Sequence, residues 1–329
     1  MNDQQVKEQS KAAYKQWSKQ WRKHAQMHQN FPKKSLYDFE NIGVGKACLA
    51  VANGYSFEEH IEIIKKYKGN VDILACDKTM GHLLEHGISP TYVVVCDANV
   101  DYKKYMEKWK DKLQDTILFM NVCANPEWSY NGNWKDIYFF ANKDVLGSEK
   151  EFMKISGHQN TICAGTNVSN AMIILLTQCE NLIRQNFFGY DKILLTGFDY
   201  SWKAGGKYYA FDENGGGKVD YMCHSYLNAP HSGAFIYTSG NLWFSCDWLT
   251  TYIRTFSLPV VQCSKDSLLI FGKVGDIEEQ LRYRHKPEDK DLIKSTTEKI
   301  RKLQKELQEI GNLLTTIGRD HYWSYVSSI

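Results

Sequence analysis

Val71-Asp72-Ile73-Leu74-Ala75-Cys76 and Tyr92-Val93-Val94-Val95-Cys96, each followed by an aspartate (Asp77 and Asp97), decide the fold of this chain. Both are short, nearly continuous apolar runs, the pattern of strands covered on both faces. Between them, the stretch from Asp77 to Glu85 reads as a helix. Upstream, an apolar run from Lys46 to Ala52 ends in Asn53-Gly54-Tyr55-Ser56 and passes into a helix reaching about Tyr67. Downstream come another helix, then Thr116-Ile117-Leu118-Phe119-Met120 and Ile137-Tyr138-Phe139-Phe140. Strands alternating with helices imply right-handed βαβ units and a parallel sheet. A second stretch repeats the pattern. Gly165-Thr166-Asn167 opens a long helix to about Gln185, Asp191 to Thr196 forms a strand ending in Gly197-Phe198-Asp199-Tyr200, a helix covers about 240–256, and Leu258 to Cys263 supplies a last strand. The predicted class is α/β, a Rossmann-like and mostly parallel sheet with helices on both faces.

The flanks differ. Residues 3–30 contain no Pro or Gly, and Tyr14, Trp17 and Trp21 lie three and four apart on one helix face. This amphipathic helix is expected to dock its aromatic stripe on the main domain, the alternative being a basic helix that touches membrane or nucleic acid. In 287–318, Ile300, Leu307 and Leu314 recur every seven residues, and Leu303, Ile310 and Ile317 repeat the spacing three residues later. That heptad seam suits self-association into a homo-oligomer, or packing back onto its own domain. Residues 201–233 are rich in Gly, Tyr, Asp and His without period, as functional lids are. The expected division is a helical extension over 1–40, a nucleotide-binding transferase domain over 41–275 and a helical, coiled-coil-like extension over 276–329.

With 329 residues, 43% of them apolar, the chain can bury a substantial core, which excludes wholesale disorder. Forty Lys and Arg against 38 Asp and Glu leave a net charge of +2, without the basic field of a non-specific nucleic-acid binder. The nine cysteines form no CxxC pair and several sit inside strand-like runs, which argues against a disulfide framework or zinc ribbon and for a reducing compartment. The polar start and the lack of any run near ~18 apolar residues lead to the expectation of a cytoplasmic chain with no membrane span.

Ligands of open parallel sheets bind at the carboxyl ends of the strands, near a switch in strand order. On that rim fall Asn53, Gly54, Tyr55 and Ser56, then Asp77, Lys78 and Thr79, Asp97 to Asn99, Asn121 with Asn125, and Gly197 to Tyr200 with Asp199. Gly54 admits a phosphate to the backbone, and the helix that follows offers free amides and a partial positive charge. Gly165, Thr166 and Asn167 form a second such helix start. Asp77 and Asp97 could hold Mg²⁺ through phosphate oxygens, fix ribose hydroxyls, or cap their helices. His82 and His86, four apart, read as a half-buried helix surface rather than a metal site. His224 and His231, in the loop, are general-base candidates. Tyr200, Tyr208 and Tyr209 with Asp199 and Asp212 supply stacking faces and hydroxyl donors.

Val51 to Ser56, the segment Ala75-Cys76-Asp77 through Gly87-Ile88-Ser89-Pro90 to Val95-Cys96-Asp97, Gly165, and Thr196 to Tyr200 together resemble the MptE-like superfamily. That group includes archaeal 6-hydroxymethylpterin diphosphokinases and Maf flagellin glycosyltransferases. Asn53-Gly54, Cys76-Asp77, Gly197-Phe198-Asp199-Tyr200 and Tyr209-Ala210-Phe211-Asp212 are also similar to segments of bacterial sialyltransferases that use a CMP-sugar. This likeness implies that Asn53 and Asp77 contact a nucleotide and that Tyr200 and Tyr209 face the departing phosphate. The chain departs from those enzymes at Tyr237-Thr238-Ser239-Gly240, where they carry a catalytic histidine, so a loop histidine substitutes or the chemistry differs. Asp97-Ala98-Asn99 keeps only one acid of the diphosphokinase pair. The resulting expectation is a glycosyltransferase with a CMP-type nucleotide-sugar donor, no required cofactor, and a glycan, protein or small molecule as acceptor. The alternatives are Mg²⁺-dependent diphosphate transfer from ATP, with Asp77 and Asp97 on the metal, and an inactive scaffold that kept the fold.

Overall fold

Strands whose side chains are apolar on both faces can only be satisfied inside, and eight of them build one parallel sheet. They are β1 (Ala47–Val51), β2 (Asp72–Cys76), β3 (Tyr92–Val95), β4 (Ile117–Asn121), β5 (Asp136–Asn142), β6 (Thr161–Ile162), β7 (Lys192–Thr196) and, last in the chain, β11 (Val260–Gln262). Three short strands, β8 (Trp202–Lys203), β9 (Ser225–Asn228) and β10 (Phe235–Thr238), form a separate antiparallel sheet in the order β8-β10-β9. The computed structural model describes residues 3–144, 146–163, 167–178, 186–203, 206–211, 225–271 and 273–282, with 299, 302, 303 and 306 beyond them. The chain divides into two compact units, Met1–His285 and Lys286–Ile329. Of the heptad positions in the second unit, Leu303 alone is among the described residues.

Alternate residues of each strand serve opposite cores. Leu49 and Val51 of β1 pack beside α2 (Tyr55–Tyr67), through Phe57, Ile61 and Ile64, and α3 (Asp77–Glu85), through Met80 and Leu83. The same core takes in α1 (Asp3–Met27), α4 (Tyr102–Met106), α5 (Glu127–Asn131), α6 (Glu149–Ser156) and α9 (Ile277–Arg282). Cys48 and Ala50 face the other way, with α7 (Val168–Thr177) and α8 (Gly240–Thr255). Residues Ala171 to Leu176 of α7 are all fully buried, which is why this helix is apolar all round rather than striped. This is the Rossmann-like α/β architecture that the alternating apolar runs predict. The aromatic stripe of α1 docks as expected: Trp21 meets Phe152 edge-on at 6.1 Å, and both Tyr14 and Arg22 hydrogen-bond Glu151. No helix among the described residues is long and apolar enough to cross a membrane, and the described cysteines are free.

Two expectations need correction. The helix expected to reach Gln185 ends at Thr177, and Gln178 is already extended (φ −134°, ψ 140°). Phe187, Phe188 and Tyr190 must enter the same core, where Phe188 stacks on Phe39 at 5.2 Å, and that burial overrides helical continuation. The stretch expected as an aperiodic loop, 201–233, contains β8 and β9 of the three-stranded sheet, and β10 follows directly, the β9–β10 hairpin closed by Ala229 N–H donating to Ala234 O at 2.8 Å.

The sheet order is β11-β7-β1-β2-β3-β4-β5-β6. The chain therefore runs outward from β1 to β6, then returns through α7 to lay β7 on the opposite flank of β1. Strand order reverses between β1 and β7, and there the two exit loops interlock. Gly54 N–H donates to Gly197 O at 2.9 Å, and Gly197 N–H donates to Ser56 Oγ at 2.8 Å. Gly197 has φ +71°, and a Cβ there would lie 1.9 Å from Ala52 O. Gly197→Ala is therefore expected to cost about 3 kcal/mol or more in chemical denaturation, since steric overlap adds to left-handed strain. Gly87→Ala, at φ +70° with nothing within 4 Å of the added carbon, should lose about 1–2 kcal/mol. Equal losses at the two positions would show that the close approach contributes nothing.

Candidate functional site

The reversal in strand order opens a cleft of about 460 Å³ at the carboxyl ends of the strands. Asn53 and Gly54 reach it from β1, Asp77 and Lys78 from β2, Cys96 and Asp97 from β3, and Asn142 from β5. The start of α7 contributes Asn167 and Ser169, the exit from β7 contributes Gly197 and Tyr200, and Tyr208 and Tyr209 close one side. Gly54, the N-cap of α2, and the first turns of α3 and α7 thus face one space. Helix N-termini carry a partial positive charge, which favours an anion there, although the Ser56, Lys78 and Asn170 amides are already bonded to Asp199, Asp77 and Asn167.

Among the described lining residues, Lys78 is the one lysine or arginine. Its Nζ lies 4.6 Å from the centroid of the Tyr209 ring. Burial pulls its pKa down, but Tyr209 and Asp77 outweigh that effect and hold it above the usual lysine value. Asp77 is 3% exposed, and its Oδ1 accepts the Lys78 N–H at 2.7 Å. Burial pushes its pKa up to about 6; Lys78 opposes the shift and the nearby Asp97 adds to it. The side-chain oxygens of Asn53 and Asn142 are buried in the walls without a hydrogen-bond partner, two acceptors open to a ligand's N–H or O–H.

Other residues singled out from sequence sit behind this surface. Ser56 is wholly buried, its N–H donating to Asp199 Oδ2 at 2.9 Å, while Gly54 rather than Ser56 is the N-cap of α2. Asp199 is buried too, which pushes its pKa up to about 6 against the opposing Ser56 bond. It shapes the loop, because a Cβ on Gly54 would fall 2.4 Å from its Oδ2. Tyr200 presents its ring to the cleft, but its hydroxyl donates to Asn170 Oδ1 at 2.7 Å. Asn167 caps α7 by accepting the Asn170 N–H at 2.9 Å. Asn121 lies in a second, adjoining cleft of about 470 Å³ that shares Cys96, Asp97 and Asn142 with the first.

His231 does not arrive where a base is needed. His231 lies outside both clefts, its Nε2 donating to Leu269 O at 3.1 Å, because the β9–β10 turn packs toward residue 269 instead of the strand ends. His224, Gly165, Thr166 and Asp212 lie outside the described residues. His82 stacks on Phe211 at 4.6 Å, and no group of three potential metal-ligating side chains occurs among the described residues. Sequence reading placed Lys78 on the rim without giving it a role, and overlooked Asn142 and Ser169. The strand-end rule that selected Asp77 would have found Asn142, which lies at the tip of β5.

The sequence profile of the family described as 6-hydroxymethylpterin diphosphokinase MptE-like matches residues 20–205, more than half of the chain. The chain belongs to the MptE-like family. The match spans the MptE-like sheet from β1 through β7 together with most of the cleft. A solved structure, the MAf glycosyltransferase from Magnetospirillum magneticum AMB-1, superposes with a TM-score of 0.55 over 83% of this chain at 14% identity. The present chain spans 40% of that protein's length, and the likeness is one of fold. No curated protein sequence matches.

Asp77 also generates a stability prediction. Its folded pKa lies above the unfolded carboxylate value, so the native state binds the extra proton between about pH 4 and 6, and stability falls as pH rises through that window. Asp77→Asn keeps the bond to the Lys78 N–H and removes the buried charge. Its unfolding midpoint should exceed the parent's at pH 8, with the difference shrinking toward pH 4. A variant less stable than the parent at pH 8 would contradict the buried-charge account.

Proposed function

We propose that this MptE-like chain is a nucleotide-dependent transferase, most simply a glycosyltransferase that uses a CMP-type activated sugar. One observation supports it above the others: the N-cap of α2, the N-termini of α3 and α7 and Lys78 converge on a cleft that also presents the Asn53 and Asn142 side-chain oxygens, the Asp77 and Asp97 carboxylates and the hydroxyls of Ser169, Tyr208 and Tyr209. That arrangement suits a ligand with a phosphate at one end and hydrogen-bond donors at the other. In this reading the phosphate lies against the N-terminal ends of α3 and α7 beside Gly54, and Asn53 takes a donor from the nucleoside.

The reaction is a displacement at the anomeric carbon. The acceptor hydroxyl gives its proton to the Asp77 carboxylate, and the oxygen's lone pair forms the new bond to carbon. The bond from carbon to phosphate oxygen breaks, its electron pair staying on the phosphate. Lys78, the helix amides and the Tyr209 hydroxyl stabilise that developing charge. With a pKa of about 6, Asp77 is ionised at neutral pH yet basic enough to accept a proton, the property a general base requires.

A second reading has its own support. The matched profile bears the name of a diphosphokinase, and Asp77 and Asp97 follow neighbouring strands at one wall of the cleft. Mg²⁺ is satisfied by one or two carboxylates completed by phosphate oxygens and water. Those two residues would hold it, where it would neutralise charge on a transferring diphosphate.

Thermal shifts with CMP, UDP, GDP and ATP, each with and without Mg²⁺, separate the two readings. Stabilisation by CMP without metal is expected; stabilisation by ATP alone, and only with Mg²⁺, would overturn the first reading in favour of the second. With a CMP-sugar, turnover should rise with pH through about 6 and fall by about 10²-fold or more in Asp77→Asn. Lys78→Gln should lose about 10²-fold, and Tyr209→Phe should fall steeply with nucleotide binding retained. Full turnover in Asp77→Asn would remove that carboxylate from the chemistry.

A further inference from the structure

The second cleft meets the first along the edge formed by Cys96, Asp97 and Asn142, and its two walls are chemically unlike. One wall is the face of α1 that carries Tyr14, Trp17 and Trp21. The other is a row of polar strand-end groups, Asp97, Asn99 and Asn121, reaching to Asn142. The aromatic wall is held in place from both ends. Tyr14 and Arg22 bond Glu151 of α6, and Gln20 Nε2 donates to Asn99 Oδ1 at 3.0 Å. Trp17 lies between these anchors on the same helix face. At the shared edge, the buried Asn142 side-chain oxygen has no partner within the protein.

We infer that this second cleft is the acceptor subsite, and that it binds a neutral sugar ring laid with its C–H face on Trp17 and a hydroxyl donated to Asn142. The name acceptor rests on the transferase reading above; the binding does not. A sugar ring is amphipathic across its thickness, with apolar C–H bonds on a face and hydroxyls around the rim. An indole plane opposite amides and a carboxylate matches that division. A flat heterocycle would leave the polar wall facing its π surface, and an anionic sugar would meet Asp97 and Asp144, two carboxylates against Lys143, the one lysine or arginine among the described lining residues. The hydroxyl at Asn142 then lies on the boundary with the donor cleft, where a nucleotide-linked sugar would present its reacting carbon.

Saturation-transfer NMR with methyl β-D-glucopyranoside and methyl β-D-galactopyranoside tests this, with 6-hydroxymethylpterin as the flat competitor and the CMP thermal shift measured in parallel. At least one glycoside should bind the parent, with its dissociation constant rising about tenfold in Trp17→Ala and in Asn142→Ala. The CMP shift of Trp17→Ala should match the parent's. Trp17→Phe, which keeps an aromatic face, should retain most of the binding and serves if the alanine variant unfolds. Glycoside binding indifferent to both positions, binding of the pterin instead, or no glycoside binding to a parent that CMP stabilises would each overturn the inference. A parent that binds glycoside through Trp17 without any response to CMP would leave the subsite standing and remove the nucleotide reading.

Discussion

The passage of the β1 exit loop under the β7 exit loop governs the rest of this molecule. Two backbones approach closely enough for Gly54 N–H to reach Gly197 O at 2.9 Å, and neither position has room for a side chain. Because β7 returns to the far flank of β1, α2 and α7 begin on either side of the gap. Ser56 and Asp199 lock the crossing from beneath, through bonds of 2.8 Å to Gly197 N–H and 2.9 Å to Ser56 N–H. The cleft is thus a consequence of topology, and the phosphate site proposed for it a consequence of where helices must start.

That arrangement sets stability against reactivity. Asp77 and Asp199 are almost fully buried, and each has its pKa pushed up to about 6 chiefly by loss of water. Keeping either ionised at neutral pH costs the fold free energy. Asp199 is committed to the loop crossing, whereas Asp77 lines the cleft beside Lys78. The first is explained by architecture and the second, in the proposed transferase, by chemistry, although desolvation acts on both.

How much of this was legible in the sequence follows from physical cause. Runs such as Ile73-Leu74-Ala75-Cys76 can be satisfied only when covered on both faces, so the sheet and its strand-end rim were readable directly. The end of α7 was not, because the burial of Phe187 and Phe188 against Phe39 is a long-range requirement with no local signal. The β8-β10-β9 sheet was hidden by strands of two to four residues, too short for period-two alternation to show. His231 looked like a base because histidine titrates near neutrality. Chain position could not reveal that its ring bonds Leu269 O away from the cleft. Lys78 stood on the expected rim but drew no role beside a more conspicuous carboxylate, and Asn142, just past an apolar run, was passed over.

Amide hydrogen exchange with and without saturating CMP tests the central claim, that an activated phosphoester is gripped where the loops cross. Added protection is predicted together at 53–56, 77–79, 167–170 and 197–200, segments distant in sequence that meet only in this cleft. Protection confined to β4 through β6, or absent while CMP is bound, would contradict the account.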